Sequence, residues 1–169
     1  GAGKTTFLKL LFGMIHPTTG NIVRHFNSKN MEISFVFQEP IFLNRSVEDN
    51  LKHLLYCKSI KKKYWMKIIH HIVSEYSLEH LLKSQIRDLS GGELQLLSLI
   101  RSMITKPSIL LYDEPTNNLD DDNIELVTKI IKDINNQGLS LIMVSHNSIL
   151  NNITRYNQFF IKNGSLINE

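Results

Sequence analysis

Five short motifs, in a set order along the chain, contain the residue types that could carry out chemistry. They are residues 1–6 (Gly-Ala-Gly-Lys-Thr-Thr), Gln38, residues 89–93 (Leu-Ser-Gly-Gly-Glu), residues 109–114 (Ile-Leu-Leu-Tyr-Asp-Glu) and His146. A glycine-rich turn ending in Gly-Lys-Thr wraps phosphates with backbone N–H groups, and its lysine and hydroxyl serve the outer phosphates and magnesium. A strand that runs into Asp113 and Glu114 supplies one carboxylate for the metal and another beside it for water. The first motif is thus the phosphate-binding half of a nucleotide site, and the fourth is the hydrolytic half.

The first motif begins at the first residue of the chain. The full phosphate-loop pattern is G-x-x-x-x-G-K-[ST], and aligning its last glycine with Gly3 puts its first glycine before residue 1. No Met precedes the motif and the strand that leads into such a loop is absent, so we expect an N-terminally truncated fragment. A flexible glycine-rich end before a helix is the alternative. The pair Lys4 and Thr5, followed by an apolar helix over 7–11, favours the phosphate loop.

Length and composition indicate one globular domain. The chain has 169 residues, 42% of them hydrophobic, which is enough for a real core. Its 19 basic residues stand against 16 acidic ones, and a net charge of +3 does not demand a nucleic-acid partner. The single cysteine, Cys57, excludes an internal disulfide and is consistent with a cytosolic protein.

The densest basic run comprises residues 61–63 and Lys67, next to a helical apolar pattern. It is interpreted as the solvated edge of a helix, with contact to a membrane surface or an acidic partner as the alternative. No apolar stretch approaches the roughly 18 residues needed to cross a bilayer. Any membrane association is therefore expected to come through a partner.

Hydrophobic periodicity predicts alternating strands and helices. The predicted elements are a helix over 5–14, a short strand at Ile22 and Val23, a strand over 33–37, a helical stretch over 47–84, a strand over 108–112, a helix over 122–135, a strand over 139–144 and a hairpin of 159–161 with 165–167 around Asn163 and Gly164. This alternation predicts a mainly parallel α/β sheet that binds its ligand at the carboxyl ends of the strands.

The most specific motif is Leu-Ser-Gly-Gly-Glu at 89–93, which ends twenty residues before Asp113. Together with the other four motifs, it resembles the nucleotide-binding subunit of ATP-binding cassette (ABC) transporters over nearly the whole chain. The resemblance implies a P-loop NTPase (RecA-like) core with a mainly parallel sheet and an inserted α-helical subdomain, the N-terminal strands being missing. The implied division is 1–40 core, 41–104 helical subdomain with the signature motif, and 105–169 core.

The signature motif can also be an ordinary helix cap, with Ser90 as N-cap and Glu93 three residues later. Both interpretations can hold, because two glycines at a helix N-terminus also expose N–H donors to an anion. In the family this cap contacts the γ-phosphate held by the other subunit. The resemblance therefore implies a head-to-tail homodimer with two ATP molecules between the subunits.

The resemblance also assigns the catalytic chemistry residue by residue. Lys4 would neutralise the β- and γ-phosphates, Thr5 and Asp113 would hold Mg²⁺, and Glu114 would orient or deprotonate the attacking water. Gln38 would contact the metal and that water. Adjacent acids after a strand could instead start a turn, which Pro115 supports.

Two further positions match the family by sequence alone. His146 follows a predicted strand at the place of the family's switch histidine, and Asp120 lies in the loop that communicates across the dimer. The implied ATP-binding residues are Gly1, Ala2, Gly3, Lys4, Thr5, Thr6, Ser90, Gly91, Gly92 and Asp120. The implied metal-binding residues are Thr5, Gln38 and Asp113, and the implied catalytic residues are Glu114, His146 and Gln38.

Residues 38–47 look like the groove where a permease's cytoplasmic helix docks, with Ile41, Phe42 and Leu43 as its apolar residues. These side chains could equally belong to the core of the helical subdomain. Leu96 departs from the family, many members of which have arginine there. The aromatic residue that stacks on adenine normally precedes the phosphate loop and has no counterpart in this chain.

The leading functional interpretation is the ATPase subunit of a membrane importer, at the cytoplasmic face of the membrane through its permease. The stretch 37–47 looks most like that of tungstate-type oxyanion importers, although cargo is selected by other subunits. The alternative is a soluble ABC ATPase acting on ribosomes or nucleic acid, since residues 115–120 resemble the translation-factor branch. A non-catalytic subunit is disfavoured because Lys4, Asp113, Glu114 and His146 are all present.

Overall fold

The computed structural model describes residues 2–23, 32–116, 119–145, 157–162 and 164–167. Its helices are α1 (Lys4–Phe12), α2 (Val47–Cys57), α3 (Trp65–Glu75), α4 (Gly91–Met103) and α5 (Asp121–Asn136). Its strands are β1 (Ile33–Val36), β2 (Ile109–Asp113), β3 (Ser140–Val144), β4 (Phe160–Lys162) and β5 (Ser165–Ile167). Short 3-10 turns span Lys62–Tyr64, Glu79–Leu81 and Ile86–Asp88. No helix within these ranges is both long and apolar enough to cross a bilayer.

Strands β1, β2 and β3 form a parallel sheet in that order, with β2 in the centre. The register pairs Val36 with Tyr112 and Asp113 with Val144. Because the strands are parallel, the residues that follow them gather at one edge of the sheet. Strands β4 and β5 form a separate antiparallel hairpin. The predicted α/β class with a parallel sheet is therefore confirmed.

The two faces of the central strand bury different helices. Leu111 packs with Leu8 of α1 and with Val144, while Leu110 and Tyr112 belong to the larger core shared with α4 and α5. Successive side chains of a strand point to opposite faces, so Asp113 falls on the same face as Leu111. The strand thereby delivers Asp113 toward the helix that carries the phosphate-loop residues.

In the part of the chain predicted to form the helical subdomain, α2, α3 and the adjoining 3-10 turns pack together and α2 packs against α4. These helices bury Leu51 and Leu55 of α2, Ile69 of α3 and Leu96 of α4 in the same apolar core as Leu110 and Tyr112. Leu96, where the resemblance implies arginine in many family members, is buried in this apolar core, and a leucine there leaves no buried charge without a partner.

The predicted strand at Ile22 and Val23 was wrong. Residues 21–23 form no strand and Val23 is 69% exposed, while residues 24–31 lie outside the described ranges. The helical character predicted for 47–84 is confirmed by α2, α3 and the 3-10 turns beside them, and the breaks after α2 and α3 lie at Ser59 and Ser77, with positive φ values of 56° and 57°. A left-handed residue ends a helix by turning its backbone out of the helical path. Both breaks occur at serines, not at the glycine that usually signals such a stop.

Two buried tyrosines make a matched test of hydrogen bonding. Gln95 Nε2 donates to the Tyr112 hydroxyl at 3.4 Å, whereas the Tyr76 hydroxyl is buried without a partner among the described residues. Burial also raises the pKa of Tyr76 to about 12. We expect Tyr112→Phe to lower the free energy of unfolding by about 1 kcal/mol and Tyr76→Phe to leave it unchanged or raise it. Urea denaturation measures both, and a larger loss for Tyr76→Phe would contradict the expected order.

Candidate functional site

The start of α1 has the geometry of an anion-binding turn. Gly3 precedes the helix with φ 94°, a conformation that glycine adopts without steric cost, and no side chain caps the helix. The first-turn N–H groups of a helix have no intrahelical partner and lie at the positive end of its dipole. Ala2, Lys4 and Thr5 are half-buried around this turn and Thr6 is exposed, whereas Gly1 lies outside the described residues.

The decisive contact joins the first and fourth motifs. The Thr5 hydroxyl donates to Asp113 Oδ1 at 3.2 Å, across 108 residues of sequence. Asp113 is only 2% exposed at the end of β2. A hydroxyl oxygen and a carboxylate oxygen are hard donors of the kind Mg²⁺ prefers, since this ion commonly binds one or two carboxylates together with substrate phosphates. The residues present therefore fit the ion that the sequence predicts at Thr5 and Asp113.

Glu114 follows directly and has an unusual backbone. Its φ is 52°, in the left-handed region that few non-glycine residues occupy. Its backbone N–H donates to the Val144 carbonyl at 2.8 Å, which ties this turn to the end of β3. Strained residues of this kind cluster at functional sites, where the surrounding structure holds them in place. The side chain is half-buried, so it can still be reached from solvent.

The other two strands end at the same edge of the sheet. Gln38 lies two residues beyond β1 and is exposed, and Ser145 directly follows β3. Parallel pairing thus brings Gln38, Asp113 and Glu114 to one edge, as the sequence predicts. His146 lies outside the described residues, so its expected place beside them stays a prediction.

The signature motif forms the capping box that the sequence predicts. Ser90 Oγ accepts from the Glu93 backbone N–H at 3.2 Å, and the Ser90 backbone N–H donates to Glu93 Oε2 at 2.8 Å. These bonds satisfy two donors, and the amides of Gly91 and Gly92 belong to the same first turn. The capping interpretation is therefore confirmed, and the helix N-terminus keeps donors available for an anion.

The two signature glycines have different surroundings. A Cβ on Gly91 would meet nothing within 4 Å, whereas a Cβ on Gly92 would lie 2.3 Å from Asn123 Nδ2 of α5. Gly92 thus packs closely against the Asn123 side chain, which a larger residue would have to displace, whereas a side chain at Gly91 would meet no other part of the described structure. Sequence reasoning missed Asn123, because nothing local marks it as a neighbour of the signature.

Asp120 has a local partner. It is exposed, and its Oδ1 accepts from the Asn123 backbone N–H at 2.9 Å as the N-cap of α5. This cap fixes Asp120 at the N-terminus of α5, the helix whose Asn123 side chain lies against Gly92. The role across a dimer that the resemblance implies for Asp120 stays a prediction.

The segment that follows Gln38 is held by two side chains that sequence reasoning also missed. Arg101 of α4 donates from Nη1 to the Ile41 carbonyl at 2.8 Å, and its guanidinium lies 4.3 Å from the centre of the Phe42 ring. Burial lowers the pKa of this guanidinium. Asn50 is buried and bonds both the N–H and the carbonyl of Leu43, at 2.9 and 3.0 Å. The sequence signal for Arg101 was a charged residue that directly follows buried Leu99 and Ile100 in α4.

The predicted docking residues divide into two groups. Ile41 is 70% exposed and Leu43 is 40% exposed, while Phe42 is half-buried and packs against the core. The alternative that these side chains belong to the subdomain core therefore holds for Phe42 alone.

A parallel sheet whose carboxyl edge joins a glycine-turn helix to a buried aspartate defines a P-loop nucleotide hydrolase. A family model described as ABC transporter matches residues 1–117 of this chain. The chain belongs to that family, and as an ABC ATPase it binds and hydrolyses ATP.

Individual relatives agree with this assignment. The chain is 34% identical over 164 residues to the lipoprotein-releasing system ATP-binding protein LolD of Buchnera aphidicola, covering 89% of this chain and 72% of the relative. It is 28% identical to the cell division ATP-binding protein FtsE of Streptococcus pneumoniae, covering 100% of this chain and 79% of the relative. The structure of cbiO1 from Clostridium perfringens, part of the ABC transporter complex cbiONQ, superposes with a TM-score of 0.83 at 22% identity over 98% of this chain and 71% of that one. This last likeness shows the fold.

Proposed function

We propose that this chain is the ATP-hydrolysing subunit of an ABC importer and works as a head-to-tail homodimer bound to a transmembrane permease. The single observation that carries the hydrolytic part is the contact of Thr5 with buried Asp113, with Glu114 next in sequence. The experiment that tests the transport part is ATP-dependent uptake by vesicles that contain the chain and its permease. Uptake that is lost in Glu114→Gln vesicles would support the proposal, and unchanged uptake would contradict it.

The residues at the edge of the sheet divide the chemistry among them. The α1 turn and Lys4 bind the β- and γ-phosphates, and Thr5 and Asp113 hold the Mg²⁺ ion that neutralises charge on these phosphates when bound. Glu114 accepts a proton from the attacking water or orients it, with Gln38 and His146 as the groups that align water and γ-phosphate. The left-handed turn at Glu114, tied by its backbone N–H to Val144, holds the backbone of this residue directly after Asp113.

The second half of each site comes from the other subunit. Gly91 and Gly92, at the helix end that Ser90 caps, supply first-turn N–H groups to the γ-phosphate bound by the partner, with Asp120 nearby. The open space beside Gly91 supports this role, because it leaves room for a phosphate group to approach the backbone, and glycine has no side chain that would block the approach. One subunit alone therefore holds only half of each site.

The permease is proposed to dock on Ile41 and Leu43. These residues lie where the core (1–40 and 105–169) joins the helical subdomain (41–104), and both are exposed apolar side chains. Docking there would place the ATPase at the cytoplasmic face of the membrane. The likeness of 37–47 to tungstate-type oxyanion importers remains part of this proposal.

Charge in the docking segment is expected to uncouple the permease. We expect Ile41→Asp and Leu43→Asp to keep ATP binding but to lose co-purification with the permease, because a carboxylate in an apolar contact is left without a partner. Tyr56→Asp is the control, since Tyr56 is 71% exposed elsewhere on the same subdomain. Retained assembly and transport by both docking variants would place the permease contact elsewhere.

A second candidate function is that of a soluble ABC ATPase acting on ribosomes or nucleic acid. It is favoured by residues 115–120, whose sequence is like that of the translation-factor branch. Stimulation of ATP hydrolysis by added ribosomes, with none by the permease in detergent, would support this candidate over the importer.

A further inference from the structure

Arg101 holds the segment that follows Gln38 by two different contacts. Its Nη1 donates to the Ile41 carbonyl at 2.8 Å, and the guanidinium plane lies over the Phe42 ring at 4.3 Å. A charge-assisted hydrogen bond fixes the position of the backbone, and a cation–π contact fixes the orientation of the ring. The two contacts together leave residues 41 and 42 little freedom relative to α4.

The segment is also anchored on either side of this contact. Before it, Val36 is paired in β1 and fully buried, so residues 37–40, including Gln38, span the gap between the sheet and Ile41. After it, Asn50 bonds the N–H and the carbonyl of Leu43. Gln38 and Glu39 are themselves exposed. The position of the loop that carries Gln38 therefore depends on its two ends, and Arg101 provides the second.

The helix that carries Arg101 also carries the signature. Ser90 caps α4, and Arg101 lies eleven residues later, about 16 Å along the axis at 1.5 Å per residue. Leu96, Leu97, Leu99 and Ile100 are buried between them, so α4 is held in the core along its length. The loop of Gln38 and the first turn of α4 are thus attached to the same packed helix.

We propose that Arg101 is a positioning residue for ATP hydrolysis: it fixes the Gln38 loop to α4 and so sets Gln38 in register with the signature end of the helix. This inference rests on the proposed hydrolytic function. It gives Arg101 no contact with ATP, because its contacts are with Ile41 and Phe42. Its loss should therefore affect turnover more than binding.

The test compares Arg101→Ala, Arg101→Lys and the control Arg87→Ala in steady-state ATP hydrolysis by the purified protein with Mg²⁺. Arg87 is exposed, and among the described residues its side chain forms a surface ion pair with Asp88. We expect Arg101→Ala to lower kcat about tenfold with KM for ATP within about twofold, since a small misplacement of a catalytic group slows the chemical step. Lysine can still donate to the Ile41 carbonyl, so Arg101→Lys should recover part of kcat, and Arg87→Ala should match the wild type.

Amide hydrogen exchange, measured by mass spectrometry, tests the position of the segment without depending on ATP hydrolysis. We expect the peptide covering 41–46 to exchange faster in Arg101→Ala and at the wild-type rate in Arg87→Ala. Wild-type kcat in Arg101→Ala, or unchanged exchange in 41–46, would overturn the inference. Absence of ATPase activity in the wild-type protein would instead contradict the proposed function. The hydrogen-exchange measurement would still decide whether Arg101 holds residues 41–46 in place. A fall in kcat that lysine does not relieve, with exchange raised over the whole chain, would show a merely structural role and also overturn it.

Discussion

Replacing Glu114 by glutamine is expected to slow ATP turnover at least about a hundredfold while leaving ATP binding intact. A hundredfold loss corresponds to roughly 2.7 kcal/mol of activation free energy, at 1.36 kcal/mol per tenfold. The amide cannot accept the proton of the attacking water, but it has nearly the same shape as the carboxylate. It can therefore occupy the left-handed turn at φ 52° and keep the bond from its N–H to Val144.

The prediction for Glu114→Gln has two measurements. Steady-state hydrolysis reports turnover, and size-exclusion chromatography with ATP should show a dimer that accumulates because bound ATP is no longer consumed. Glu125→Gln is the matched control, since Glu125 is an exposed carboxylate on α5. Near-normal hydrolysis by Glu114→Gln would move the catalytic base to another residue.

Mixing two inactive variants is expected to restore part of the ATPase activity. Lys4→Ala should weaken ATP binding, because Lys4 is the cation of the phosphate-loop motif. Ser90→Arg should spare binding to the monomer and block dimer closure, because it places a long cationic side chain at the first turn of α4. In a mixed dimer, one of the two sites combines an intact Lys4 with an intact Ser90.

The size of the recovery follows from the two-fold symmetry of such a dimer. Random pairing at a one-to-one ratio makes half of the dimers mixed, so at most about a quarter of the sites are complete. Each variant mixed with itself is the control and should stay inactive. Ser90→Arg also removes a helix cap that contributes about 1 kcal/mol, so its fold is checked by circular dichroism. Absence of recovery in dimers shown to be mixed would contradict independent head-to-tail sites.

The strands at the centre of the sheet could be predicted because their residues are apolar and β-branched over a short run. Residues 33–36, 109–113 and 140–144 follow the predicted positions within one or two residues. The helix ends between residues 47 and 84 were harder to predict, since α2 and α3 each end two residues before a serine in a left-handed conformation, Ser59 and Ser77. Such conformations are stabilised by the packing around them, which local sequence does not record.

The sequence by itself determined the local chemistry of this protein. The glycine turn before Lys4, the cap of Ser90 with Glu93 and the two carboxylates after β2 each depend on residues a few positions apart. Local backbone geometry forms these features wherever the segment is placed. The order and spacing of the motifs were therefore sufficient to indicate an ABC ATPase.

Only the tertiary structure decided which distant residues meet. The contact of Thr5 with Asp113 spans 108 residues, and Arg101 reaches Ile41 across 60. Asn123 against Gly92 likewise depends on how α5 packs on α4. Such contacts arise when the chain buries its apolar faces together, so they depend on the whole core and on no single segment. For the same reason Phe42 is packed in the core while its neighbours Ile41 and Leu43 remain exposed.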